Sequence, residues 1–310
     1  MTDAIEGVRN AFILYGRGEV QMPPKVYMIF EKGDLRTMPV YLPTMGIAGV
    51  KNVNVHPANT DIPPVMATIT LVDPEDGFPV AVMDGTYITN MRTGAAGGVA
   101  AGLLARPESE VVGFVGCGHQ AHTQLDALII TMSSLRRVVV FDPVRAVAED
   151  LCDRAAAKYA MDTAVAGSIE EVCAAADILT MTTPVRKPIV QDAWVRPGTH
   201  INAIGADAEG KEELDPAILK RARVVIDNWE QASHSGEINV PLAKGLLKRD
   251  DIVCDIGQLI TEKKAGRLSP EDITVFDSTG LAVQDVACAV AAYRKLIGGE
   301  GTKLKTVAFF

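Results

Sequence analysis

An apolar run passes directly into a glycine-rich loop at Val111-Val112-Gly113-Phe114-Val115-Gly116-Cys117-Gly118-His119-Gln120-Ala121. The run is typical of a buried strand, and the residues after the G-x-G-x-x-A loop are typical of a helix. Gly116 allows a tight turn, and Gly118 lets the backbone approach a pyrophosphate, which His119 would line. The helix N-terminus supplies N–H donors for the same anion. The stretch therefore predicts a dinucleotide-binding unit, although isolated glycines also fit a plain strand-to-helix turn.

The next apolar run ends in an acidic residue, as a dinucleotide-binding fold requires. Asp142 follows residues 137–141, where its carboxylate can accept hydrogen bonds from an adenosine ribose. A carboxylate at this point would repel the 2′-phosphate of NADP, so Asp142 favours NAD. Arg145 leaves NADP open as a second cofactor, because a nearby guanidinium can bind that phosphate. Strand, loop, helix and acid together predict NAD binding.

Short apolar runs alternate with helix-capable segments throughout the chain after Glu110. This alternation predicts an α/β fold with a parallel sheet and crossover helices, the doubly wound sheet of the Rossmann type. The predicted strands are residues 111–115, 138–141, 178–181, 200–204, 224–226 and 273–276.

The chain before Arg106-Pro107 has a different order of predicted elements, with successive strands before a helix, which predicts an α+β domain. Its strands and its Gly/Ala-rich helix are expected at residues 50–55, 65–72 and 93–105. An apolar helix at about residues 281–297 does not extend the later alternation and would return to this domain. We therefore predict a discontinuous domain, residues 1–106 and 281–310, around a nucleotide-binding domain of residues 107–280.

Composition excludes several classes of protein. A chain of 310 residues, 48% hydrophobic and 22% charged, is typical of a soluble protein with two domains. The 39 acidic and 30 basic residues leave a net charge of −9, and 5% of residues are aromatic, which argues against nucleic-acid and membrane-surface partners. No signal peptide or membrane-spanning run is evident. Five cysteines without a C-x-x-C pair predict buried packing in the cytoplasm and no metal site.

A lysine stands on the apolar face of the strand expected at residues 50–55. Strand alternation places Lys51 on the same face as Val53 and Val55. A buried lysine there would be suited to proton transfer or would be paired with a carboxylate, whereas a lysine at a sheet edge would reach water. Three further cations can supply donors for a substrate carboxylate in this acidic protein: Lys25, Arg36 and Arg92.

Polar residues also follow the later strands. Asp207 comes after residues 200–204, so it should lie outside the carboxyl end of the sheet, where open α/β folds bind ligands. Asp207 could instead be only a loop residue or a helix cap. Lys211, four residues later, can share a helical face with Asp207. Ser278 precedes the final helix and would either cap it or contact the cofactor, whereas His200 is expected to fill the strand.

Five segments together resemble the ornithine cyclodeaminase and mu-crystallin family, and the resemblance covers nearly the whole chain. They are residues 21–25 (QMPPK), 32–36 (KGDLR), 91–98 (MRTGAAGG), 200–207 (HINAIGAD) and 276–281 (FDSTGL). The resemblance implies a nucleotide domain inserted into a substrate-binding and dimerisation domain, and therefore a homodimer.

The resemblance also implies roles for individual residues. Lys51 and Asp207 match the active-site lysine and aspartate of the family, and Lys25 and Arg92 match cations that hold the substrate carboxylate. The positions that match the surroundings of the cofactor are Arg92, Gln120, Asp142, Thr183, Ala206, Lys211 and Ser278.

Arg36 distinguishes this chain from the ornithine cyclodeaminases it resembles, which place a glutamate there for a diamino substrate. An arginine disfavours a cationic tail and suits a short apolar amino acid. The expected activity is NAD-dependent, reversible oxidative deamination of L-alanine to pyruvate, a 2-oxo acid. Alternatives are a ketimine or pyrroline-2-carboxylate reductase, an ornithine cyclodeaminase, and a non-catalytic, mu-crystallin-like nicotinamide-binding protein.

Overall fold

The structure is a computed structural model that describes residues 1–299. These residues form ten α-helices and fifteen β-strands, together with three short 3-10 helices. The helices are α1 (Thr2–Arg17), α2 (Thr86–Leu104), α3 (His119–Thr131), α4 (Arg145–Tyr159), α5 (Ile169–Ala175), α6 (Pro216–Arg221), α7 (Trp229–Ser235), α8 (Asn239–Ala243), α9 (Ile256–Ile260) and α10 (Ala282–Ile297). The strands are β1 (Val26–Ile29), β2 (Asp34–Leu42), β3 (Ile47–Val55), β4 (Val65–Val72), β5 (Pro79–Asp84), β6 (Val111–Val115), β7 (Arg137–Phe141), β8 (Asp162–Val165), β9 (Ile178–Met181), β10 (Arg186–Val190), β11 (His200–Ala203), β12 (Glu212–Leu214), β13 (Arg223–Ile226), β14 (Ile252–Asp255) and β15 (Thr274–Asp277).

Contacts within the described residues separate the chain into two units. The larger unit contains Met1–Glu19 and Asn90–Leu281, and the smaller unit contains Val20–Thr89 and the described chain from Ala282 onward. The assignment of residues 1–106 and 281–310 to substrate binding and dimerisation, and of residues 107–280 to NAD binding, remains a prediction. Residues 300–310 of that assignment lie outside the described part of the chain.

The larger unit is built on a sheet of eight parallel strands, ordered β14-β13-β15-β11-β9-β6-β7-β8 within the described residues. The order reverses at β6, because β7 and β8 lie on one side of it and β9, β11 and β15 on the other. Ligands of open α/β sheets bind at such a switch point, outside the carboxyl ends of the strands. The predicted Rossmann-type sheet is confirmed.

Apolar side chains cover both faces of this parallel sheet. One cluster contains Leu179, Ile201 and Val275, and a second cluster contains Phe114 and Leu125. Strands buried on both faces read as continuous apolar runs, which explains why the alternation after Glu110 was visible in the sequence.

The smaller unit is built on five antiparallel strands in the order β1-β2-β3-β4-β5. Its helix α10 packs on β2, β3 and β4. Burial alternates along β2, where Met38, Val40 and Leu42 are buried. An antiparallel sheet with one covered face produces this alternation, and the last described helix supplies the cover.

The helix predicted at residues 93–105 begins earlier, at Thr86. The helix and its end are as predicted, but its start was placed too late because Thr86, Tyr87 and Ile88 are β-branched or aromatic residues of modest helix propensity. Asp84 starts the turn instead, since its Oδ1 accepts a 2.8 Å hydrogen bond from the N–H of Thr86.

Two general predictions concern the whole chain. All five cysteines are buried, as expected from packing, and burial raises the pKa of Cys117 and of Cys173 to about 12. Among residues 1–299, no helix is both long enough and apolar enough to cross a membrane.

Candidate active site

The glycine loop between β6 and α3 has the geometry of an anion site. Gly116 has a φ of 84°, in the left-handed region that favours glycine. Gly118 is the N-cap of α3, and apart from its own chain neighbours no heavy atom lies within 4 Å of the position that a Cβ would occupy there. Open space at the N-terminal end of a helix is what a phosphate requires. His119 is the first residue of α3.

Asp142 stabilises the glycine loop. Its Oδ2 accepts a 2.9 Å hydrogen bond from the N–H of Cys117, and its Oδ1 accepts a 2.8 Å bond from the N–H of Val144. Each carboxylate oxygen keeps a further lone pair for a ligand hydroxyl. Arg145 points into solvent and is paired with Glu149 at 2.8 Å, so its guanidinium is held by a carboxylate on its own helix.

Several buried polar atoms of the larger unit have no hydrogen-bond partner among the described residues, and two of these atoms belong to predicted cofactor-binding residues. They are Oε1 of Gln120 and Oγ of Ser278. The Nε2 of Gln120 donates to Oδ1 of Asn90 at 3.0 Å, which fixes the amide. Because buried polar groups are normally satisfied, these atoms and the open space at Gly118 fit a polar cofactor.

Asp207 and Lys211 form an ion pair after β11. Their Oδ1 and Nζ atoms are 2.5 Å apart, and the side chains are 36% and 19% exposed. A turn produces the pair, because the N–H of Lys211 donates to the carbonyl of Ala208 at 3.2 Å. No helix follows Asp207 directly, so Asp207 is a loop residue and not a helix cap.

Arg92 lies in α2 and is 7% exposed. Its guanidinium packs against the backbone of Gly280, in the turn after β15. Asp227 holds that turn, since its Oδ2 accepts the N–H groups of Thr279 and Gly280 at 2.6 and 2.7 Å. The larger unit therefore presents a cation where β15 ends.

Lys51 is the buried lysine of the smaller unit. Its Nζ lies 2.8 Å from Oδ1 of Asp285 on α10, and the two side chains are 1% and 0% exposed. The expected apolar face and carboxylate partner are confirmed, and the edge interpretation was wrong. The sequence analysis missed Asp285, although a lone acid in the apolar segment of residues 281–290 was a visible signal.

Arg36 is also buried, at 6% exposure. Its Nε and Nη2 donate to the two carboxylate oxygens of Asp34 at 2.8 and 3.1 Å, and its guanidinium lies 5.6 Å from the centre of the Tyr27 ring. Asp34 therefore orients the guanidinium. Lys25 is half-buried and directly precedes β1.

A cluster of buried acids in the larger unit was also missed. Glu213, Glu237 and Asp277 are fully buried. Burial raises the pKa of all three, in the case of Asp277 to about 8. His200 is the basic counterpart: burial lowers its pKa to about 3, and its ring nitrogens bond to Thr274 and Asn202. His200 thus fills the strand, as predicted.

The predicted residues fall into two groups. The larger unit contains Arg92, Gly116, Gly118, His119, Gln120, Asp142, Arg145, Thr183, Ala206, Asp207, Lys211 and Ser278. The smaller unit contains Lys25, Arg36 and Lys51. Among residues 1–299, no group of three or more His, Cys, Asp or Glu side chains is arranged to hold a metal ion.

Comparisons with known proteins agree on one family. The model of the ornithine cyclodeaminase/mu-crystallin family matches residues 1–300. An alanine dehydrogenase of Archaeoglobus fulgidus is 52% identical over 313 residues, which cover 98% of this chain and 94% of the relative.

Solved structures give the same result. An archaeal alanine dehydrogenase dimer with bound NAD has a TM-score of 0.94 and 50% identity, covering 100% of this chain and 95% of that one. A Thermococcus litoralis Δ(1)-pyrroline-2-carboxylate reductase in complex with NADH and L-proline has a TM-score of 0.93 and 35% identity, covering 97% and 95%.

Proposed function

The chain belongs to the ornithine cyclodeaminase/mu-crystallin family, and we propose that it is an NAD-dependent L-alanine dehydrogenase. The reaction converts L-alanine, NAD⁺ and water into pyruvate, ammonium, NADH and a proton, and it is reversible. The observation that carries the proposal is the 52% identity, over nearly the full length of both chains, to an archaeal alanine dehydrogenase.

The larger unit supplies the cofactor side of the proposal. The N–H groups at the start of α3 would hold the pyrophosphate in front of Gly118, and Asp142 would accept a ribose hydroxyl. Gln120 and Ser278 have buried oxygens that a nicotinamide cofactor would satisfy. NAD, when bound, supplies the acceptor for the hydride that leaves the α-carbon of alanine.

We assign the substrate carboxylate to Lys25, Arg36 and Arg92. The family resemblance supports Lys25 and Arg92, and guanidinium groups bind carboxylates with two parallel hydrogen bonds. Asp34 holds Arg36 in one orientation, which limits the entropy lost on binding. Arg36 would also disfavour the cationic tail of a diamino acid.

We assign the proton transfers to Lys51 and Asp207. Loss of hydride from the amino acid leaves an imine, and its hydrolysis requires one group to take a proton from water and a group to protonate the departing amine. Asp285 holds the Lys51 ammonium at 2.8 Å, and Lys211 holds the Asp207 carboxylate at 2.5 Å. Both groups are therefore oriented before substrate binds.

A substrate panel tests the proposal. Purified protein is incubated with NAD and, separately, L-alanine, L-ornithine or L-proline, while NADH absorbance and released ammonia are measured. We expect L-alanine to produce equal amounts of NADH and ammonia. Ammonia from L-ornithine without net NADH would replace the proposal with a cyclodeaminase, and NADH binding without any turnover would replace it with a nicotinamide-binding protein.

A second candidate is a reductase of cyclic imines. It is favoured by the TM-score of 0.93 to the Thermococcus litoralis reductase. Faster NADH oxidation with Δ(1)-pyrroline-2-carboxylate than with pyruvate and ammonium would select it. The same assay with NADPH tests the cofactor, and we expect NADH to be preferred because Asp142 disfavours a 2′-phosphate.

We further propose that the protein is a cytoplasmic homodimer. An archaeal relative with 50% identity is described as a dimer. The five cysteines are buried and unpaired in disulfides, and the raised pKa of Cys117 and Cys173 leaves little reactive thiolate, which suits a reducing compartment. Sedimentation equilibrium should give twice the mass of the 33.0 kDa chain, and a monomer would contradict the assignment.

A further inference from the structure

Glu213 links two loops at the carboxyl edge of the parallel sheet. It lies in the short strand β12 and is 0% exposed. Its Oε1 accepts hydrogen bonds from the N–H of Thr183 at 2.8 Å and from the hydroxyl of Thr183 at 2.6 Å. Its Oε2 accepts the N–H of Gly205 at 2.9 Å. One carboxylate thus receives three donors from the loops after β9 and β11.

These two loops carry residues of the candidate active site. Gly205 is followed by Ala206 and Asp207, so the bond to Gly205 fixes the backbone two residues before the proposed proton-transfer group. On the other side, the hydroxyl of Thr182 donates to the carbonyl of Gly116 at 2.7 Å. Hydrogen bonds to Thr183 and Gly205, together with the adjoining backbone, therefore link Glu213 to the glycine loop on one side and to Asp207 on the other.

The fit around Glu213 is tight. A side chain on Gly205 would collide with the Thr183 carbonyl and with the Glu213 carboxylate. Glu237 holds strand β12 in place, because its Oε1 accepts hydrogen bonds from the N–H groups of Glu213 and Leu214 at 2.9 and 2.6 Å. A buried carboxylate surrounded by donors is strongly oriented, so Glu213 has little freedom to move.

We propose that Glu213 is a positioning residue for the reaction, because its carboxylate fixes the loops that carry Thr183 and Asp207 in their productive geometry. This inference rests on the proposed function, in which Asp207 moves a proton and the loops line the cofactor. Displacement of a catalytic group by about 1 Å can lower a rate by about a hundredfold, so a residue outside the reacting atoms can have a large effect.

The test is the substitution Glu213→Gln, which keeps the shape but replaces one acceptor oxygen with an NH2 group. That group would face a backbone or hydroxyl donor, so one of the two loops would lose its bond. We expect kcat with L-alanine to fall at least about tenfold and the dissociation constant of NADH, measured by fluorescence titration, to rise at least about threefold. The stoichiometry of NADH binding should remain that of the unmodified protein.

The matched control is Glu212→Gln. Glu212 precedes Glu213 on β12 and is 2% exposed, but its Oε2 lies 3.6 Å from Lys244 instead of facing the Thr183 and Gly205 loops. We expect its kcat and NADH affinity to stay within about twofold of the unmodified protein. Equal losses in the two variants, or unchanged kcat in Glu213→Gln, would overturn the proposal.

The stoichiometry of NADH binding distinguishes a positioning role of Glu213 from a merely structural one. Partial unfolding would lower the number of NADH sites in proportion to kcat while leaving the dissociation constant unchanged, and this result would also overturn the proposal. If Glu213→Gln does not fold, Glu213→Asp replaces it, since it keeps the charge but cannot reach both loops; kcat should fall and the titration should detect a full set of weaker sites. If the unmodified protein does not oxidise L-alanine, the proposed function fails, and the NADH titration still tests Glu213.

Discussion

Two lysine–aspartate pairs occupy the two units and differ in almost every other respect. Lys51 and Asp285 are 234 residues apart in sequence and are removed from solvent. Asp207 and Lys211 are four residues apart and remain partly exposed. The same two ionic groups therefore meet once through tertiary packing and once through a local turn.

The difference shows how burial changes the consequence of losing a partner. A buried charge that loses its counter-ion has no water to replace it, so the loss costs about 3–5 kcal/mol. An exposed pair is screened and solvated, and it contributes about 0–1 kcal/mol. The buried pair should thus control both stability and function, whereas the exposed pair should control function alone.

The largest expected effect is that of Asp285→Ala. It leaves the Lys51 ammonium buried without this carboxylate, so the free energy of unfolding in urea should fall by about 3–5 kcal/mol, and turnover should be lost. The double variant Lys51→Met with Asp285→Leu should recover most of the stability but no turnover. A stability loss below about 1 kcal/mol in the single variant would contradict the buried ion pair.

The second largest effect is expected at Asp277, a buried acid of the larger unit. Burial raises the pKa of Asp277 to about 8, and Asp227 and Glu213 add to the shift; Glu237 also faces it. Because the folded state holds this proton and the unfolded state releases it, the protonated acid stabilises the fold at low pH and that contribution is lost as pH rises towards about 8.

Asp277→Asn removes this titration. The variant should therefore gain stability relative to the unmodified protein as pH rises, by about 3–4 kcal/mol between about pH 5 and about pH 8, because each pH unit contributes at most about 1.4 kcal/mol. Melting temperatures of both proteins across this range measure the difference. A difference that does not change with pH would show that Asp277 is ionised throughout.

A smaller change in stability is expected at the exposed Asp207–Lys211 pair after β11. Asp207→Asn should alter the free energy of unfolding by less than about 1 kcal/mol, but kcat for L-alanine should fall by at least about a hundredfold, as expected for a general acid or base. Lys211→Met is the control, with a similar stability and a smaller loss of kcat. Unchanged kcat in Asp207→Asn would remove Asp207 from the mechanism.

The smallest effect is expected at a fully solvated pair. Arg145 and Glu149 are 75% and 50% exposed, so Arg145→Ala should change the free energy of unfolding by less than about 0.5 kcal/mol. The Michaelis constant for NAD should stay within about twofold. A marked rise in the Michaelis constant for NADP alone would show that Arg145 leaves Glu149 to bind the 2′-phosphate.

Local features of the fold and site could be predicted from the sequence. The glycine loop, the strand before it and Asp142 lie within a short segment, so their spacing determines their geometry. The Asp207–Lys211 pair was visible for the same reason, although a turn and not a helix brings the side chains together. The parallel strands were visible because burial on both faces makes them continuously apolar.

Long-range partners could not be predicted. Nothing near Lys51 in sequence points to Asp285, because helix and strand periodicity assign a face but not a partner on another element. Glu213 was missed for a different reason. Strand β12 has three residues, which are too few to show the alternation of a strand. In addition, two adjacent glutamates in a sequence are typical of a solvated surface. Tertiary packing, which sequence patterns do not encode locally, buries them.

The return of α10 to the first sheet also determines when the smaller unit can be completed during synthesis. Its five strands leave the ribosome early, but its covering helix and Asp285 follow only after residues 90–281 of the larger unit. At about 5–20 residues per second, this delay is roughly 10–40 s. Throughout that time Lys51 and the apolar face of the sheet lack α10, and exposed apolar surface of this kind favours aggregation until the helix has been made.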